Sequence, residues 1–115
     1  MSKIKISYSI KNEYDDINST TKANLKDNII SYKEEDGTKV NYNYDNRRLE
    51  RTNDNMSMVY DFSNGEAIID VKSVGSVIKL KLESIDYNKD EFNLIEKYKL
   101  EDEIIEYRIE VLKWI

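Results

Sequence analysis

The chain has no cysteine, no histidine and no proline, and only three glycines in 115 residues. Each absence excludes something. Without cysteine there is no disulfide, no thiolate nucleophile and no thiolate metal site. Without histidine the commonest general base and the commonest nitrogen ligand for transition metals are missing. Ser-His-Asp and Cys-His catalysis are therefore out of reach. Gly37, Gly65 and Gly75 stand apart from one another, so they cannot form a glycine-rich phosphate loop. No apolar run reaches the length of a membrane-spanning helix. The start, MSKIKISYSI, alternates polar and apolar residues and has no continuous signal-peptide core. The expected compartment is the cytoplasm. The net charge of −5 predicts no nucleic-acid partner and no anionic membrane surface, because both need a cationic face.

What is present is periodicity. Charged residues make up 36% of the chain and hydrophobic residues 39%, with nine tyrosines. That is enough apolar material for one modest core over residues 1–115, so a single folded domain is expected. The period is two nearly everywhere. Ile4, Ile6, Tyr8 and Ile10 alternate with lysine and serine. Ile17, Ser19, Thr21, Ala23 and Leu25 share a weaker face. NIISYKEE (28–35), TKVNYNY (38–44), RRLERT (47–52), MSMVYDF (56–62) and EAIIDVK (66–72) follow, with Asp36-Gly37 and Asn64-Gly65 as hairpin signals. SVIKLKLESI (76–85), a turn at 88–90, FNLIEKYKL (92–100) and IIEYRIEVLKWI (104–115) complete the chain. A helix over 94–113 competes on Glu and Lys content. The alternation of Ile105, Tyr107, Ile109 and Val111, with their β-branched and aromatic side chains, favours strand. The fold class is all-β: a single antiparallel up-and-down β-barrel of eight to ten strands, closed because open edges aggregate.

The strand, Asp-Gly hairpin, short arginine-bearing strand, Met/Phe strand and Asn-Gly hairpin are followed by IIDVKSVGSVIKLKLESI and FNLIEKYKLEDEIIEYRIEVL. This pattern resembles the YwiB-like family of small bacterial proteins of unknown function. The resemblance runs over residues 3–113, with Arg51 and Val74-Gly75 as its local anchors. It implies a calycin-like barrel, distantly shaped like lipocalins and fatty-acid-binding proteins, and it implies no activity. The Gly-x-Trp signature of lipocalins is missing, and there is no room for a two-helix lid between the first two strands.

The candidate site lies in RRLERT. As a strand it carries Arg47, Leu49 and Arg51 on one face. Burying Leu49 takes both arginines inside. They could clamp a carboxylate or phosphate, with Tyr42, Tyr60 and Tyr107 lining the space. They could equally pair with an internal acid such as Glu34 or Glu96. The other register, Arg48 inward, would bury Glu50 beside it. The tyrosines divide in the same way, between a ligand lining and a core whose hydroxyls bond at their rims. The acids at 15–16, 34–35 and 101–103 fall at expected turns and show no glycosidase spacing. Ser19-Thr20-Thr21-Lys22 matches a serine–lysine pattern but has no companion motif. No enzyme, cofactor or metal is expected. At the C-terminus, Leu112 and Trp114 differ in parity from Ile109 and Val111, so Trp114 is expected on the outer surface or as a plug at a barrel end. The expected function is binding of a small apolar or amphipathic anion inside the barrel. The alternative is a filled barrel that acts as a protein-interaction module or homodimer.

Overall fold

The computed structural model describes residues 2–115. Ten strands make up nearly all of it, and no helix occurs among those residues. None is therefore long and apolar enough to cross a membrane. The strands are β1 (Ser2–Lys11), β2 (Asp16–Lys26), β3 (Ile29–Lys33), β4 (Lys39–Asn43), β5 (Arg48–Thr52), β6 (Met56–Asp61), β7 (Glu66–Val71), β8 (Ser76–Asp90), β9 (Asn93–Leu100) and β10 (Glu103–Trp114). Each pairs antiparallel with its neighbour in sequence, and β1 closes on β10. The up-and-down barrel is thus the observed architecture, with tight connections selecting sequential pairing.

Alternation sets which side chains enter. One row across six strands, Ile30–Tyr42–Leu49–Tyr60–Ala67–Leu80, points inward. A second runs Tyr87–Glu96–Tyr107–Ile10–Ile17 through β8, β9, β10, β1 and β2. Residues 94–113 are therefore strands, not a helix: alternate burial of Leu94, Glu96 and Tyr98 serves a sheet facing one core.

Two local expectations are corrected, and of the two places expected for Trp114 the structure selects the one at a barrel end. β8 runs on through Asp90, and its turn falls at Glu91, which has φ 54°. β5 begins at Arg48, one residue later than expected; Arg47 sits in the preceding turn with φ 54°. Trp114 returns to inward parity, because Leu112 is an extra residue between the pairs Ile6–Val111 and Lys5–Lys113. It pairs with Ile4 and packs edge-on against Phe92, ring centres 6.0 Å apart. A similar bulge at Ile85 turns Tyr87 inward. Gly65 marks a close approach: it has φ 71°, and a Cβ there would lie 2.9 Å from the Leu82 carbonyl oxygen.

The strands are unequal in length, and this leaves free edges. β2 meets β3 through only Asn24–Ser31, Leu25–Ile30 and Lys26–Ile29. The upper part of β2, residues 16–23, pairs with β1 alone. Ser76 to Lys81 of β8 pair with β7 alone.

Candidate functional site: the barrel interior

Two ion pairs stand inside the wall. In the first, Arg51 on β5 projects inward beside Leu49. Its Nε donates to Glu34 Oε2 at 2.9 Å and its Nη2 to Glu34 Oε1 at 2.6 Å. Glu34 follows β3 at the hairpin mouth. Its amide donates to the Thr38 carbonyl and its carbonyl accepts from Gly37, both at 2.9 Å. The Asp-Gly turn thereby aims this acid inward, and it is buried. Adjacent Asp36 is held below its ordinary carboxylate value by hydrogen bonds from Thr38.

In the second pair, Arg47 enters from its turn. Its Nε donates to Glu96 Oε2 at 3.0 Å and its Nη2 to Glu96 Oε1 at 2.7 Å. Nη2 also reaches Ser84 Oγ at 3.1 Å, and the Tyr87 ring covers the guanidinium at 3.9 Å. Glu96 is fully buried and also accepts from the Tyr42 hydroxyl at 2.7 Å. Both pairs are the two-toothed geometry an arginine fork favours. The hydrogen bonds with Glu96 hold Arg47 above its ordinary pKa. Burial would lower that of Arg51, but Glu34 outweighs it and the net shift is upward.

Between the pairs stand aromatic rings. Tyr8 packs on Tyr32 at 5.0 Å, and the Tyr32 and Tyr107 hydroxyls share a hydrogen bond of 2.6 Å. Tyr107 lies 6.2 Å from Tyr42, which meets Tyr44 edge-on at 5.0 Å. Tyr44 packs on Phe92 and donates to its carbonyl at 2.8 Å. Tyr60, Phe62 and Tyr98 form a second group, with Tyr98 5.9 Å from Tyr60 and 5.0 Å from Phe62. No buried side-chain nitrogen or oxygen among the described residues lacks a partner. Clefts of about 350 and 490 Å³ lie on the outer wall and at the turns, between β9 and β10 and beside Asn12.

The five residues singled out from sequence are all inward. Arg47 and Tyr42 meet on Glu96. Arg51 lies near Tyr60, whose hydroxyl donates to Met58 Sδ at 3.3 Å. Tyr107 shares its hydroxyl hydrogen bond with Tyr32 and lies beside Tyr42. The odd residues of RRLERT face in, while exposed Arg48 pairs with Glu50 at 3.5 Å on the outside. Each inward arginine carries its own carboxylate, so neither fork is open to a second anion. Ser84 and Tyr87 complete the Arg47 setting and were not expected there. Tyr87 lies past the strand expected at 76–85, and a bulge leaves no mark in a two-residue period.

Burial raises the pKa of Tyr32, Tyr42, Tyr44, Tyr60, Tyr98 and Tyr107 above the ordinary 10.0. The folded state therefore keeps these protons when the unfolded chain, titrating near 10, gives them up. The stability tied to these groups is complete below pH 10 and falls as pH rises above it, by about 1.4 kcal/mol per unit for each such tyrosine. Tyrosinate absorbance and loss of β circular dichroism are expected to rise together in one alkaline transition. Ionisation of all six with the β signal intact would mean that water reaches the interior.

No group of three or more acidic side chains among the described residues is placed to hold a metal ion. Comparison of the chain with protein-family models, with curated proteins and with solved structures finds no match.

Proposed function

We propose that this protein is a filled, calycin-like barrel of the YwiB-like kind that works through its outer surface as a protein-interaction module. The observation that carries this is the interior. Both arginines are neutralised by their own glutamates, and Tyr8, Tyr42 and Tyr107 are at most 1% exposed. A carrier of amphipathic anions needs an unpaired cation at the end of an apolar space. Here the cations brace the wall instead. The ten-strand sequential order supports the calycin-like reading.

The alternative is a small apolar or amphipathic anion seated in the barrel. It draws on one end, where the inward-facing Ile17 and Ile78 remain 52% and 45% exposed. Native mass spectrometry of the purified protein separates the two. The expected result is a mass equal to that of the bare chain. Added mass that is lost on denaturation and reduced by Arg51→Ala would establish the carrier and overturn the interaction module.

A further inference from the structure

The chain is acidic, yet four adjacent strands of its wall are basic. Strands β1 to β4 hold seven lysines and a single acid, Asp16, at the far end of β2. Lys113 pairs with Lys5, and Lys5 with Lys22. Lys33 pairs with Lys39 on the next hairpin. These five side chains are exposed and point outward, and none joins an ion pair of the described residues. Like charges directly opposite across strands destabilise a sheet. The fold tolerates a row of them.

The row crosses a weak seam of the barrel, where β2 and β3 share three residue pairs. Above the pair Asn24–Ser31, β2 and β3 no longer hydrogen-bond as strands. A cleft of about 460 Å³ lies there, lined by Thr21, Lys22, Asn24, Ser31, Lys33 and Lys39, among others. Both rims are strand edges with main-chain groups that lack a strand partner on that side. One acidic side chain of the protein already bridges the seam. Glu35 accepts from Ser19 Oγ at 2.6 Å, and its amide donates to the Tyr8 hydroxyl at 3.2 Å. Glu35 is exposed, so this bridge can yield.

We infer that the β2–β3 seam is a docking site for an extended, acidic peptide segment of a partner protein. The strand edges supply main-chain hydrogen bonds, and Lys22, Lys33 and Lys39 select carboxylates on alternate residues. A neutral or basic strand is rejected, since it leaves the lysines desolvated and unpaired. A long polyanion such as nucleic acid fits less well. The strands β5 to β10 hold more acids than bases, and no aromatic side chain stands on the outward face of the row beside its lysines. The inference names the partner for the outward-acting reading above and rests on it.

The test is fluorescence anisotropy of a labelled peptide in which glutamate alternates with threonine. Its glutamine analogue, a backbone N-methylated version and a single-stranded oligonucleotide serve as comparisons. Saturable binding of the acidic peptide is expected, weakened about tenfold or more by Lys22→Glu with Lys33→Glu. Lys79→Glu with Lys81→Glu, on β8, should leave it unchanged. The N-methylated and glutamine peptides should bind weakly. Unaltered circular dichroism of both variants secures the comparison. Absence of saturable binding, equal binding of the N-methylated peptide, or tighter binding of the oligonucleotide would each overturn the seam proposal. None of these results depends on the mass measurement, which tests the interior.

Discussion

Glu96→Leu is expected to be among the most destabilising single changes in the molecule. The substitution strips a buried acceptor from the Arg47 guanidinium and the Tyr42 hydroxyl together. Breaking one side of a fully buried ion pair costs about 3–5 kcal/mol. The Arg47 side chain is 22% exposed and can turn partly to water, so about 2–4 kcal/mol is expected here. For a chain of this size that lowers the melting temperature by roughly 8–16 °C. The loss should come from stranded partners and not from the missing carboxylate itself. Replacing the set together, Tyr42→Phe with Arg47→Met and Glu96→Leu, removes every unpaired group and should return most of the lost stability. Urea unfolding of the single and combined variants checks both. A single variant within about 0.5 kcal/mol of the parent would mean that the interior is wet and the pair dispensable.

Tyr107→Ala should cost about 3–5 kcal/mol, by opening a cavity beside Tyr32 and Tyr42. Tyr107 is fully buried, and its neighbours are held by rows of paired strands that cannot collapse inward. The hydroxyl is a smaller part of this. Tyr107→Phe leaves the Tyr32 hydroxyl, 2.6 Å away in the parent, without its partner, for about 1–2 kcal/mol. Tyr32→Phe in the same chain should then be nearly free. A double-mutant cycle over these two positions reads the coupling directly. Additive losses would place water between the two oxygens. Unlike the Glu96 changes, these involve no charge, so added salt should leave them unaltered.

Much of the barrel was legible in the residues. Most strands coincide with runs of period two, although the β2 pattern was weaker and a helix competed over β9 and β10. Asp36-Gly37 and Asn64-Gly65 mark turns where the chain needs positive φ, and both glycines have it. Burial of Leu49 predicted that Arg51 faces inward, and it does. Glu34 and Glu96 were already visible as internal acids within reach of the arginines. The competing reading of those arginines as an anion clamp could not be separated from this, because both need the same inward guanidinium. Only the distance to a carboxylate divides them.

Other features were hidden for definite reasons. Extra residues at Ile85 and Leu112 reverse parity, which carried Tyr87 onto Arg47 and Trp114 onto Phe92. A bulge is placed by the partner strand, so a one-strand pattern cannot announce it. Arg47 reaches the interior from a turn residue at φ 54°, outside the strand logic that first placed it there. The net charge of −5 counted against a cationic face and could not show how charge is distributed. Lysines far apart in sequence gather on one wall.

By itself, then, the order of residues determined that this is a β protein, which side of each strand is apolar, where the chain turns, and that histidine and cysteine chemistry is absent. These are local properties, set by period, by turn residues and by composition. The tertiary structure decided what each inward polar group meets, where parity breaks, and how charge is distributed around the wall. Those outcomes depend on register between strands that are distant in sequence, and register is a property of the closed barrel alone.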